Sequence, residues 1–229
     1  MDWFAAVDIY CERTGPGFWA EPFNAVSNAA FVAAAIWGAV SARRLEVRAF
    51  DAWLLIGLAG LIGLGSFTFH TFAQVWSGLA DTIPIWSFVA AFVLIAMHRL
   101  GGMAWRRVAP WAVAIVALAI ATVLFLANGE GGTAAAPPAP DPLNGSGQYA
   151  PAVVALAAFA IFTRLRRHPA ATWIAACLAT FLVSLTFRTL DRDLCDTWSV
   201  GLHFIWHLMN GLMIGLLLQM LVRTGYPRR

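Results

Sequence analysis

The chain has 229 residues, 60% of them hydrophobic and only 12% charged, roughly half the charged share of an ordinary soluble domain. A net charge of +3 could suit a nucleic-acid partner, but all 15 basic residues are arginines. Twelve of them fall in alternate loops between apolar stretches, with only Arg13, Arg188 and Arg192 on the other side, which is a membrane-topology pattern and excludes a nucleic-acid surface.

Residues 1–22 read as an outer segment carrying Asp8, Cys11, Glu12 and Glu21. The segment lacks the basic start and apolar core of a cleavable signal. Seven apolar stretches then follow at 23–42, 51–72, 80–98, 109–127, 149–164, 171–190 and 199–222, each close to the 17–25 residues that cross a bilayer. Arg43, Arg44 and Arg48 follow the first; Arg99, Arg106 and Arg107 the third; Arg164, Arg166 and Arg167 the fifth; Arg223, Arg228 and Arg229 the seventh. Acidic residues fill the opposite loops. This predicts an all-α membrane protein, a seven-transmembrane helix bundle over 23–222 with its N-terminus outside and its C-terminus cytoplasmic. Residues 1–229 make a single membrane domain. Between spans four and five, residues 128–148 are rich in Pro, Gly and Ala and predict an irregular outer loop. No internal repeat is evident, which argues against a transporter built from duplicated halves.

Of the three cysteines, Cys177 lies within span six and reads as a small buried hydrophobe. Cys11 and Cys195 both fall on the outer side. An oxidising compartment would allow them to pair but would not require it.

Ionisable residues within apolar spans are costly and point to function. Span two ends with Gly65-Ser66-Phe67-Thr68-Phe69-His70, span three begins with Asp81-Thr82-Ile83-Pro84, and span seven begins with His203-Phe204-Ile205-Trp206-His207. The arginine-based topology brings all three to the outer face. His203 and His207, at i and i+4, project from one side of a helix. With His70 they make the three-nitrogen set of a catalytic zinc site with an open fourth position. Ser66 lies one turn from His70. Span seven lacks the glutamate of a His-Glu-x-x-His turn, so the proton-transfer role passes to Asp81, with Ser66 and the metal stabilising an oxyanion. Against this stand plainer roles: packing serine, helix-capping aspartate. The constellation predicts hydrolysis of an amide or ester of a membrane lipid. His98 and His168 sit at cytoplasmic ends beside arginines and carry no role.

At these residues the sequence resembles the alkaline ceramidase family, within the wider CREST group of seven-span hydrolases and receptors. The matching stretches are Tyr10-Cys11-Glu12, the run from Trp19 through Glu21 to Asn28, Gly65 to His70, Asp81 with Pro84, Phe187 to Asp191 with Cys195, and His203 to His207 with Gly211. The resemblance implies Zn2+ on His70, His203 and His207, with Ser66 and Asp81 in the active site. It implies cleavage of the N-acyl bond of ceramide to a long-chain base and a fatty acid, and a disulfide between Cys11 and Cys195. It further implies Ca2+ in the N-terminal segment on Glu12, Glu21 and Asp8, although Asp8 is one residue out of register and a solvated acidic segment reads as well.

The alternative is a receptor-like or lipid-sensing protein with a structural zinc; Ser66 and Asp81 beside the metal favour the enzyme. The implied partner is a membrane lipid, with neither nucleic acid nor a protein partner indicated. An Ala- and Arg-rich chain without lysine suits a bacterial inner membrane, with the site near the periplasmic face.

Overall fold

The computed structural model describes residues 2–128 and 141–226. It is all-helical: α1 (Pro22–Ser27), α2 (Ala29–Arg44), α3 (Phe50–Phe72), α4 (Val75–Arg99), α5 (Trp105–Asn128), α6 (Ala150–Leu165), α7 (Ala171–Leu190) and α8 (His203–Thr224), with a 3-10 turn at Ser146–Tyr149. No strand occurs among the described residues; Ala6 and Gln74 form an isolated bridge. Seven segments are long and apolar enough to span a membrane, α1 and α2 counting together as Pro22–Arg44. The chain is therefore an integral membrane protein.

Helix α8 is the hub. It packs against α2, α7, α1 and α3, and buried residues run from His203 to Val222. Helix α5 is the opposite case. Trp111, Val113, Val116, Leu118 and Ile120 are all exposed on it, which suits a helix facing lipid on most sides. At the end of the bundle away from the histidines, Arg99 on α4 donates to Asp51 on α3 at 2.7 Å, and Tyr226 just past α8 donates to the same carboxylate at 3.0 Å. The C-terminal ends of α4 and α8 thus meet the start of α3 at this end. His98 bonds Met103 O there and stacks on Trp105, while His168 accepts from the Ala170 amide. Both are structural. Cys177 is free and buried in the α7–α8 seam.

The starts of spans three, four and seven move, span four beginning at Trp105 rather than 109. Span three begins at Val75, because Gln74 and Ser77 form a reciprocal capping box that satisfies the first free amides. Asp81 therefore lies nearly two turns inside α4, and the helix-capping role open to it from sequence does not hold. Span seven begins at His203, where the Asp191 carboxylate accepts from the amides of Leu202 at 2.7 Å and His203 at 2.9 Å, a cap supplied from α7's end. The predicted 128–148 loop lies mostly outside the described residues; from Asp141 onward it forms a turn held by the Asp141 carboxylate on the amides of Leu143 and Gly145. These two bonds hold the exposed Asp141 carboxyl below its ordinary range.

Helices α3 and α4 touch backbone to backbone at one point. A Cβ on Gly65 would lie 2.0 Å from the Ala80 carbonyl oxygen. That carbonyl is the one left without a helical partner by Pro84, which has no amide hydrogen to give to residue i−4. Glycine on α3 and proline on α4 together bring the next residues, Ser66 and Asp81, side by side.

Candidate metal centre

His70 stands in the last turn of α3, His203 and His207 in the first two turns of α8. All three are at most 2% exposed. One nitrogen from each lies within 4.8 Å of the others, and the ring centroids are 4.5–5.2 Å apart. Among the described residues this is the one cluster of three or more metal-capable side chains.

Their outward neighbours fix the rings. His70 Nδ1 lies 2.6 Å from Glu21 Oε2, so Nδ1–H donates to the carboxylate and Nε2 keeps its lone pair. That Nε2 is buried with no hydrogen-bond partner. His207 Nδ1 lies 2.8 Å from Ser27 Oγ, and the single Ser27 hydroxyl hydrogen goes to Asn24 O at 2.9 Å. The hydroxyl must therefore accept from His207 Nδ1–H, which again leaves Nε2 as the free base. His203 is held by stacking on Tyr10, centroids 3.7 Å apart, and its Nδ1 is buried without a partner. Buried imidazole nitrogens with unused lone pairs converging on one point are what a nitrogen-ligated metal requires. The residues fit the ion.

The N-terminal segment closes over this cluster. Cys11 and Cys195 form a disulfide with Cα atoms 5.5 Å apart, as the family resemblance implied. The Cys11 amide also donates to Asp191 Oδ2 at 3.1 Å, so Asp191 ties three segments with one carboxylate. Gly201 (φ +67°) passes so close that a Cβ would sit 2.3 Å from Asp191 Oδ1. Only glycine fits that left-handed, crowded position. Burial pushes the Tyr10 phenol above its ordinary pKa, which keeps it neutral beside His203.

Among the described residues the carboxylates assigned to calcium do not gather into one cluster. Asp8 is exposed. Glu12 accepts from the amides of Phe23 at 2.7 Å and Asn24 at 2.8 Å. Glu21 is taken by His70, Asn24 and a buried ion pair with Arg13 Nε. The Arg13 guanidinium also donates to Gly15 O and to His70 O, each at 3.0 Å. A carboxylate and two carbonyls are calcium-type ligands, and here an arginine occupies them. Burial alone would raise the Glu21 pKa, but the hydrogen bonds from His70, Asn24 and Arg13 lower it below the ordinary value.

Ser66 and Asp81 line one cavity with Tyr10, His203 and His207. Ser66 is buried, and Asp81 Oδ1 is buried without a hydrogen-bond partner. From there the cavity runs between α4, α6, α7 and α8 past Phe88, Phe92, Phe159 and Phe181 to Leu217. The fourteen residue steps from His203 to Leu217 correspond to about 21 Å along α8. The cavity thus has a polar end on a long apolar shaft, suited to a single hydrocarbon chain.

The structure brings the three predicted histidines into one cluster and places Ser66 and Asp81 on the cavity beside it. Sequence reasoning missed Ser27, Asp191 and the bond of Glu21 to His70. No curated protein matches the chain in sequence. The family model described as Ceramidase matches residues 10–226, which takes in the N-terminal segment from Tyr10 onward, the whole helical bundle and the histidine cluster. The chain belongs to the ceramidase family.

Proposed function

We propose that the chain is a zinc-dependent amidase that hydrolyses the N-acyl bond of ceramide or a related lipid to a long-chain base and a fatty acid. The observation that carries this is the meeting of the histidine cluster with Ser66 and Asp81 at the polar end of the apolar shaft. His70, His203 and His207 would hold the ion, and an all-nitrogen set of three suits zinc with one position open. Bound there, zinc supplies Lewis acidity toward the amide carbonyl and a water acidified to near neutral pH.

The remaining work falls to the chain. The shaft takes one hydrocarbon tail and excludes bulk water from its polar end. The Ser66 hydroxyl donates to the carbonyl oxygen as negative charge develops on it. The Asp81 carboxylate, with an unused buried oxygen, takes the proton from the attacking water and returns it to the departing amine nitrogen. Glu21 and Ser27 hold the tautomers of His70 and His207 through the cycle. The arginine-rich ends lie opposite the histidines, which supports a site at the outer, periplasmic face of a bacterial inner membrane.

Metal content and fatty-acid release from ceramide and from glycerolipids are measured on detergent-purified protein. His207→Ala should lose zinc and activity together, whereas Ser66→Ala and Asp81→Asn should keep zinc and lose activity. Full activity in zinc-free protein would overturn the metal mechanism. Full activity in both Ser66→Ala and Asp81→Asn would overturn the residue roles.

A further inference from the structure

Past His207, α8 turns four side chains into the shaft: Asn210, Met213, Ile214 and Leu217. Three are apolar, and the fourth is an amide that is 4% exposed. A polar side chain in such a wall is costly unless its hydrogen-bonding groups are used. Its Nδ2 donates to Ser184 Oγ at 2.7 Å and to Trp206 O at 3.0 Å. The second bond decides the orientation, since a backbone carbonyl only accepts and must face the NH2 end. Ser184 Oγ in turn donates to Trp206 O at 3.2 Å, so its lone pairs receive the amide. Both Nδ2 hydrogens are committed, the side chain is locked, and Oδ1 is left as a fixed acceptor at the shaft wall.

We infer that Asn210 is a specificity-determining residue that recognises a hydroxyl carried by the lipid within a few bonds of the scissile amide. The register supports this. Asn210 is three residues beyond His207, about 4.5 Å deeper along α8. An extended chain advances roughly 3.5 Å over three bonds. A hydroxyl on the second to fourth atom beyond the reacting carbonyl, or at the matching place on the long-chain base, comes level with Oδ1. The hydroxyl donates and Oδ1 accepts. A lipid without it fills the shaft but leaves the acceptor buried and unpaired, which lowers its reactivity by about tenfold or more. Asn210 touches the substrate beyond the reacting atoms and takes no part in bond making.

This inference rests on the lipid-amidase reading, and the test separates the two. Four substrates are compared by kcat/KM on wild type and on Asn210→Leu. They are palmitoyl and β-hydroxypalmitoyl amides of dihydrosphingosine, and the same two amides of a base lacking its secondary hydroxyl. Wild type should prefer one hydroxylated member by about tenfold or more, and Asn210→Leu should bring that ratio close to unity. Whether the acyl or the base hydroxyl carries the preference identifies the chain in the shaft. A ratio within one preparation does not depend on how much of the variant is folded, so a merely structural role for Asn210 would leave it unchanged. The same preference should appear without turnover: if the acyl arm responds, wild type binds β-hydroxypalmitate more tightly than palmitate. Hydrolysis of all four substrates with equal ratios in both proteins would overturn the role of Asn210 alone. No hydrolysis of any of them by zinc-loaded wild type would overturn the amidase reading itself.

Discussion

Replacing Glu21 by Gln tests how the metal centre is built. The carboxylate, 2% exposed, accepts from His70 Nδ1 at 2.6 Å and pairs with the buried Arg13. A neutral amide keeps the shape but loses the charge that makes His70 a stronger base and fixes its tautomer. Loss of such a partner weakens metal binding by about 10–100-fold, or about 1.4–2.7 kcal/mol. The variant also leaves Arg13 buried without its counter-charge, for which about 3–5 kcal/mol is typical when one partner is removed. The surviving bonds of Arg13 to Gly15 O and His70 O place the loss at the lower end of that range. Competition with a chelator at fixed pH reads the zinc affinity, and thermal unfolding of the metal-free protein reads the second effect separately. A Glu21→Gln protein that binds zinc as tightly as wild type would refute the orienting role, whatever its stability.

Three further outcomes follow from the same geometry. Asp191→Ala removes the acceptor for the amides of Cys11, Leu202 and His203; it should cost about 3 kcal/mol in unfolding free energy and weaken zinc binding by loosening His203, and unchanged values of both would contradict the capping role. Gly65→Ala sets a methyl 2.0 Å from Ala80 O, so α3 and α4 must part by about an ångström next to Ser66 and Asp81; kcat should fall about 100-fold while stability falls by only about 1–3 kcal/mol. Because Arg13 occupies the calcium-type ligands, chelation with EGTA should leave the melting temperature and activity unchanged, whereas Arg13→Met should lower the melting temperature by several degrees in the presence or absence of calcium.

The parts of this structure legible in sequence are those with a local signature. Seven spans show as hydropathy over contiguous residues, and His203 with His207 shows as an i, i+4 pair. Arginine clusters place His70 and Asp81 beside them without any knowledge of packing. What escaped notice joins residues far apart in the chain by a single bond each. Ser27 meets His207 across 180 residues and Glu21 meets His70 across 49; neither leaves a periodic mark. Arg13 escaped for another reason: the acidic residues around it suggested a divalent ion, and an internal guanidinium meets one of them, Glu21. The start of α4 was misplaced because Gln74 and Ser77 invert the usual Ser-to-Glu order of a capping box, and the unpaired Ala80 carbonyl beneath Pro84 followed from that.

The staple of the N-terminal segment to the α7–α8 junction, through Cys11–Cys195 and Asp191, also bears on biosynthesis. A ribosome makes Glu21, Ser27 and His70 well before His203 and His207. Until α8 enters the bilayer, two of the three ligands do not exist, the shaft lacks a wall, and the early segment has nothing to lock onto. A chain halted before α8 thus lacks two of the three clustered histidines, and under the proposed function it could not attack the membrane in which it is being assembled.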